Sequence, residues 1–304
     1  MDLYDVIIIG AGPGGLNAAV YAARYRLKVL VIGEIVGGMA AEAYEVCNFL
    51  TYDKIRGYEL ALKMREQVKK LGVGIMQKKV TEIVKTKKGF EVRTNDEAFH
   101  AKKIIIATGT HKRELNLLKE KKLVGRGVSY CATCDAAFFK DKDVAVAGGS
   151  DAALTAALLL SLYAKIVYIV YRKGSFLRAE PAWVHLVNEN KKIKPIFDSN
   201  IVELIGESKL EGILLDSKKE LKVDGLFVEI GAIPQSRLAK DMGVKLDDDY
   251  IMTDEEQRTN VDGVFACGDV TDNLLKQIIV AAAEGAIAAK MAYNDIMAEI
   301  EKSL

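Results

Sequence analysis

The stretch Val6-Ile7-Ile8-Ile9-Gly10-Ala11-Gly12-Pro13-Gly14-Gly15 decides the fold. Four apolar residues in a row read as a short strand buried on both faces. The glycines then supply a tight turn, a close backbone approach for a pyrophosphate, and a small residue where helix meets strand. Leu16, Ala19, Val20 and Ala23 continue with helical spacing, and Val29-Leu30-Val31-Ile32 returns as a strand. The segment is a dinucleotide-binding βαβ unit whose helix N-terminus meets the phosphate charge. An acid is expected about 20 residues further on for a ribose hydroxyl, and Glu34 is placed for it. The signature does not by itself separate FAD from NAD.

A second unit follows downstream. Val144-Ala145-Val146 is its strand, Ala147-Gly148-Gly149-Ser150-Asp151-Ala152 its turn, Ala153 to Leu162 its helix, and Ile166-Val167-Tyr168-Ile169-Val170 the return strand. Framed as Ala147-x-Gly149-x-x-Ala152, the turn has a Cβ where the first glycine belongs. Tyr171-Arg172-Lys173 and Arg178 stand beyond the return strand. Basic residues there suit the 2′-phosphate of NADP, where an acid would suit NAD. The unit reads as an NADPH-preferring site, or as a fold element that holds no nucleotide. Two such units imply an α/β protein with two doubly wound sheets.

Gly89-Phe90-Glu91-Val92-Arg93-Thr94 reads as part of an antiparallel meander. Lys103-Ile104-Ile105-Ile106-Ala107-Thr108-Gly109 reads as a buried strand ending in a small-residue turn. Strands are also expected at 213–215, 226–230 and 264–266, and a helix over 277–294. With 304 residues the chain has room for two domains. Half the residues are hydrophobic and 28% charged, a soluble globular composition, and the net charge of +1 argues against a nucleic-acid partner. The lysines of 118–122 and 191–194 read as solvated faces. Met1 to Asp5 leads directly into a strand with no charged n-region, apolar h-region or cleavage site, so secretion is not expected. Its weakly polar stretch from Ala152 to Ala164 is too short to span a bilayer. A cytoplasmic enzyme is expected.

Cys131-Ala132-Thr133-Cys134-Asp135 carries the chemistry. A CxxC pair at a helix start cycles between dithiol and disulfide, with one thiol acidified. Asp135 adjoins it and can move a proton to or from a leaving thiol. Zinc is the rival for any CxxC, yet Cys47, Cys267, His100, His111 and His185 offer no paired spacing to complete four ligands. Cys47 and Cys267 read as small core residues. Near the far end, Cys267-Gly268-Asp269 follows a strand and Lys276-Gln277-Ile278 opens a helix. A carboxylate there can accept bonds from ribityl hydroxyls, and the helix N-terminus can stabilise a reduced flavin anion.

GAGPGG at 10–15, ATGT at 107–110, GVSYCATCD at 127–135 and GVFACGDVTD at 263–272 closely resemble the low-molecular-weight thioredoxin reductases of bacteria and archaea. The resemblance covers nearly the whole chain. It implies two Rossmann-like (doubly wound, three-layer ββα) nucleotide-binding domains, the second inserted into the first. Residues 1–114 and 232–304 would form the FAD domain, and 115–231 the NAD(P)H-type domain carrying the CxxC. It also implies a homodimer that passes two electrons from NADPH through FAD to thioredoxin or a glutaredoxin-like protein. By resemblance, Gly10, Gly12, Pro13, Gly14 and Gly15 surround the FAD pyrophosphate. Glu34, Gly38 and Met39 lie in the ribose and ring loop, and Asn48 near the flavin. Ala107, Thr108 and Gly109 close over the cofactor, and Asp269 with Lys276, Gln277 and Ile278 meets its ribityl and ring ends. Val80 and Gly268 complete that set. Gly149, Ser150, Asp151, Ala152, Arg172, Lys173 and Arg178 would form the nicotinamide nucleotide site. Cys134 would be the flavin-proximal sulfur, Cys131 the attacking one and Asp135 the acid/base. The family's middle domain rotates, and short joints near 113–116 and 230–235 suit such a hinge.

The chain departs from the family pattern in several places. Met39 replaces a glutamine, Leu50-Thr51 a Pro-Gly, Ala136 a glycine, and Ala147 the first glycine of the second turn. Tyr171-Arg172-Lys173 with Arg178 stands for a more closely spaced arginine pattern. These departures leave two alternatives: a ferredoxin-dependent flavin thioredoxin reductase, or an FAD-dependent dithiol oxidase using oxygen. A non-enzymatic flavoprotein is the third reading.

Overall fold

The computed structural model describes residues 3–43 and 45–302. The chain divides into two compact units, Met1–His111 with Ile233–Leu304, and Lys112–Ala232. The first opens with β1 (Leu3–Ile9), α1 (Pro13–Arg24), β2 (Val29–Ile32), a 3-10 turn (Gly38–Glu42), α2 (Gly57–Lys70) and β3 (Gly74–Met76). β4 (Val80–Thr86), β5 (Gly89–Thr94) and β6 (Ala98–Ile106) follow, and then the connecting β7 (Thr110–Lys112). The second unit contains α3 (Glu120–Leu123), β8 (Val128–Ser129), α4 (Ala132–Asp135), β9 (Asp143–Ala147), α5 (Asp151–Ser161) and β10 (Ile166–Val170). It ends with α6 (Pro181–Glu189), β11 (Ile193–Ile196), β12 (Ile201–Ile205), β13 (Gly212–Leu215), β14 (Glu220–Leu221) and β15 (Gly225–Val228). The chain returns through β16 (Ala232–Pro234), which pairs with β7, to α7 (Arg237–Asp241), β17 (Leu246–Asp247), β18 (Tyr250–Ile251), β19 (Val264–Ala266) and α8 (Ile278–Glu301).

In the first unit β3-β2-β1-β6 form a parallel sheet, and β6 is shared. Its first half pairs antiparallel with β5, and its last three residues pair parallel with β19. This division explains why a single long strand both closes the meander and completes the nucleotide-binding sheet. Alternation along β1 sends Val6 and Ile8 toward α1 and α8, and Ile7 and Ile9 toward the meander. Every second side chain thus enters a different core, so the strand reads as an unbroken apolar run. α8 continues beyond the expected Asn294 to Glu301, because Ala288, Ala289, Ala292 and Ile296 keep one face on the core.

In the second unit β11-β10-β9-β15-β8 form an all-parallel sheet, beside an antiparallel β12-β13-β14 ribbon. Both units are thus Rossmann-like α/β sheets. Ligands of such sheets bind beyond the carboxyl ends of the strands. The Gly148–Ser150 turn after β9, Arg172 after β10 and Cys131 after β8 all follow strand carboxyl ends. No helix among the described residues is long and apolar enough to cross a membrane.

Candidate redox centre and nucleotide sites

Cys131 and Cys134 are joined as a disulfide, with their Cα atoms 5.3 Å apart. Cys131 is the N-cap of α4, and its Sγ accepts the Cys134 backbone N–H at 3.1 Å. Asp135 closes the same turn. Its backbone N–H donates to the Cys131 carbonyl at 3.1 Å, and its Oδ2 accepts the Ser129 hydroxyl at 2.7 Å. Tyr130, just ahead of the pair, is fixed at both ends. Its hydroxyl donates to Glu120 at 2.5 Å, and its carbonyl accepts from Lys112, which also pairs with Glu229 at 2.9 Å. Burial and the Glu120 carboxylate hold the Tyr130 phenol well above its ordinary range. Sequence reasoning missed Ser129, Glu120, Lys112 and Glu229. Only Ser129 left a signal, a hydroxyl two residues ahead of the first cysteine.

In the first unit Gly10 has φ +115°, and a Cβ there would stand 2.0 Å from the Ala107 carbonyl oxygen. Gly12 caps α1 with no side-chain bond, and α1 has no acid in its first turn. A Cβ on Gly12 would meet nothing nearer than the Gly38 Cα at 3.9 Å. The helix end is therefore open and uncompensated, which fits a pyrophosphate. Pro13, Gly14 and Gly15 form the first turn of α1, and Glu34 is exposed just past β2. Met39 accepts the Thr110 hydroxyl on its sulfur at 3.3 Å, and Asn48 donates to the Gln277 side chain at 3.0 Å. Gln235 ties down the Ala107–Gly109 turn: it donates to the Thr108 and Thr110 carbonyls, and its own carbonyl accepts the Thr108 hydroxyl at 2.8 Å. Val80 lies within the core between sheet and meander, so only its backbone could face a cofactor.

Asp269 is the best fit test for a flavin. Burial pushes its carboxyl up, opposed by Lys276, and it makes no hydrogen bond among the described residues. An acceptor in that position matches a polyol chain. Lys276 donates to the Thr271 carbonyl and lies over the Tyr250 ring at 4.3 Å, and desolvation lowers its amine below the ordinary range. Ile278 starts α8 and Gln277 caps it. Glu284, also missed by sequence reasoning, accepts the Gly268 N–H at 2.6 Å and the Asn273 amide at 2.9 Å, and fixes the loop that carries Asp269.

The second turn corrects the frame read from sequence by one residue. Gly148 N–H donates to the Val170 carbonyl at 3.0 Å, as Gly10 N–H donates to Ile32 at 2.8 Å. Gly148 has φ +139°, and a Cβ there would stand 2.1 Å from the Glu229 carbonyl oxygen. Gly148 is thus the first glycine, and Ala147 is the last residue of β9. Ser150, an extended N-cap like Gly12, takes the second glycine's place. Gly149 matches Ala11, and its missing side chain makes room for the Tyr171 ring. Asp151 opens α5, and its carboxylate accepts the Glu180 N–H at 2.6 Å, pinning the basic loop to the turn. Ala152 lies in the first turn of α5. Arg172, Lys173 and Arg178 are exposed, and their side chains make no hydrogen bond or ion pair among the described residues, though the Lys173 carbonyl accepts the Asp198 N–H at 3.3 Å. A donor set of free cations past β10 fits a phosphorylated ribose.

Cys267 is a core residue, its thiol pushed up by burial. Cys47 is not. It is half-exposed and donates to Glu45 at 3.5 Å, because the 45–54 loop turns its polar Glu45–Lys54 pair toward it.

The pyridine nucleotide-disulphide oxidoreductase family matches residues 4–285, and the chain belongs to it. A 34.2 kDa protein in the rubredoxin operon of Clostridium pasteurianum is 40% identical over 95% of this chain and 96% of its own length. The thioredoxin reductase of Listeria monocytogenes is 38% identical over 99% of this chain and 96% of its own. The crystal structure of T. acidophilum thioredoxin reductase superposes with a TM-score of 0.93 at 38% identity, covering 98% of this chain and 100% of that one.

Proposed function

We propose that the chain is a thioredoxin-disulfide reductase. It holds FAD in the unit built from both chain ends and passes two electrons from NADPH, through the flavin and the Cys131–Cys134 pair, to thioredoxin or a glutaredoxin-like protein. It works as a homodimer in the cytoplasm. The observation that carries this reading is the Cys131–Cys134 disulfide opening a helix beside Asp135, on a Rossmann unit of its own. The likeness to thioredoxin reductases over nearly the full chain supports the choice of substrate.

When bound, FAD supplies two-electron carriage between a hydride donor and a disulfide. The open N-terminus of α1 would hold its pyrophosphate, and Asp269 would accept from its ribityl chain. On the reduced pair, the Cys131 thiolate attacks the substrate disulfide, forming a mixed disulfide and releasing one substrate sulfur as thiolate. Cys134 then gives its proton to Asp135 and attacks the Cys131 sulfur. The second substrate sulfur leaves, and the pair is a disulfide again. The substrate has gained two electrons and takes up two protons, one of them relayed by Asp135. Free Arg172, Lys173 and Arg178 support NADPH as donor, and Gly148 supplies the tight turn that the site requires.

The test is anaerobic stopped-flow with NADPH, NADH and reduced ferredoxin in turn, followed by oxidised thioredoxin. NADPH is expected to bleach the flavin fastest. Reduced enzyme that never reduces a thioredoxin disulfide would overturn the reading.

A further inference from the structure

We infer that Ser129 is a positioning residue that ties Asp135 to Cys131 through one hydroxyl group. Ser129 ends β8 and is buried, 4% exposed. Its Oγ accepts the Cys131 N–H at 3.0 Å and donates to Asp135 Oδ2 at 2.7 Å. A hydroxyl has a single proton. The competing acceptor, the Cys131 carbonyl, lies further off at 3.3 Å, so the proton goes to the carboxylate as a charge-assisted bond. The carboxylate is therefore oriented by a rigid strand rather than by its own short helix. The same hydroxyl holds the amide of the attacking cysteine. α4 has only four residues and cannot hold a side chain in register alone. The strand bond does that, and the Asp135 N–H to the Cys131 carbonyl at 3.1 Å closes the ring.

The inference deepens the proposed dithiol chemistry and rests on it. Without the Ser129 hydroxyl, Asp135 is misplaced when Cys134 must lose its proton. The step that resolves the mixed disulfide slows, while the first attack by Cys131 is less affected. Binding of substrate and the first attack are little changed, so kcat and KM fall together while kcat/KM is kept.

The experiment uses whole enzyme reduced stoichiometrically with dithionite and mixed with either thioredoxin or 5,5′-dithiobis(2-nitrobenzoate), then acid-quenched. Ser129→Ala is expected to slow the resolving step about tenfold and to accumulate the Cys131 mixed disulfide seen by mass spectrometry, while in turnover assays kcat and KM fall together and kcat/KM stays within about twofold. Ser129→Thr, which retains the hydroxyl, restores resolution. Adding Ser129→Ala to Asp135→Asn costs less than about twofold more, since the two act as a unit. An equal loss in the Asp135→Asn background, or a Ser129→Ala enzyme whose mixed disulfide never builds up, overturns the inference. Unchanged flavin absorbance and melting temperature show that the variant is folded. Wild-type enzyme that resolves the aromatic disulfide but ignores thioredoxin counts against the proposed function, and the Ser129 comparison is still decided on the aromatic disulfide.

Discussion

Replacing Glu284 tests how the flavin-side loop is built. Glu284 stands on α8 with 8% of its surface exposed, and its carboxylate accepts from Gly268 N–H at 2.6 Å and Asn273 Nδ2 at 2.9 Å. Glu284→Ala removes both bonds, together with the longer one from the Thr271 hydroxyl at 3.5 Å, and leaves a buried N–H without an acceptor. Hydrogen bonds to a charged group contribute about 1.5–3 kcal/mol each, partly offset here by relief of the buried charge, so a net loss of about 3 kcal/mol is expected. For a unit of this size that is a fall in melting temperature of about 6–12 °C. Glu284→Gln behaves differently. Its amide oxygen keeps the Gly268 bond, and Asn273 Oδ1, which has no partner among the described residues, can turn to accept the new N–H. Burial holds the Glu284 carboxyl above the usual glutamate range. The folded state therefore retains a proton that the unfolded chain releases first, and wild-type stability falls as pH rises from the ordinary glutamate pKa through the raised one. The glutamine variant does not titrate, so its melting temperature should gain on wild type across that window. Differential scanning calorimetry from acid to neutral pH measures both effects. A glutamine variant as weak as alanine, or a gap that stays flat with pH, would refute the reasoning.

Asp269→Ala should weaken FAD binding about 10–100-fold, the loss of one or two bonds to a charged acceptor, measured by quenching of FAD fluorescence on titration. Gly148→Ala forces a Cβ to 2.1 Å from the Glu229 carbonyl at φ +139°, so urea unfolding should reveal a loss of about 2–4 kcal/mol or an insoluble protein. Arg172→Ala should raise KM for NADPH about tenfold and leave NADH unchanged, because only the former carries the 2′-phosphate. Cys131→Ser should abolish thioredoxin reduction in a coupled assay while NADPH still bleaches the flavin.

Where strand, turn and helix signals coincide within a few residues, they were legible. β1, the Gly10–Gly15 turn and α1 follow from a buried apolar run, a glycine at each constrained point and helical spacing behind it. The CxxC and its neighbouring acid were legible for the same reason, being contiguous. The second turn was misframed because Ala147 is as small as a turn residue. Where β9 ends is set by the Gly148–Val170 bond, a contact with a strand that sequence periodicity cannot register. Cys47 reads as a core residue because its surroundings in sequence are apolar, and Val46 beside it is indeed buried, whereas its own side chain faces a charged pair.

Composition, periodicity and glycine placement by themselves fixed two Rossmann units, the redox cysteines and the class of cofactor. Those features are encoded in neighbouring residues and in backbone conformations that few residue types can adopt. Which groups serve them was decided only by the tertiary fold. Asn48 meets Gln277 across 229 positions of sequence, Thr108 meets Gln235 across 127, and Ser129 reaches Asp135 because a strand end and a short helix fold against each other. A hydrogen bond of 3 Å depends on where the backbone places two donors and acceptors, and no local pattern encodes that distance.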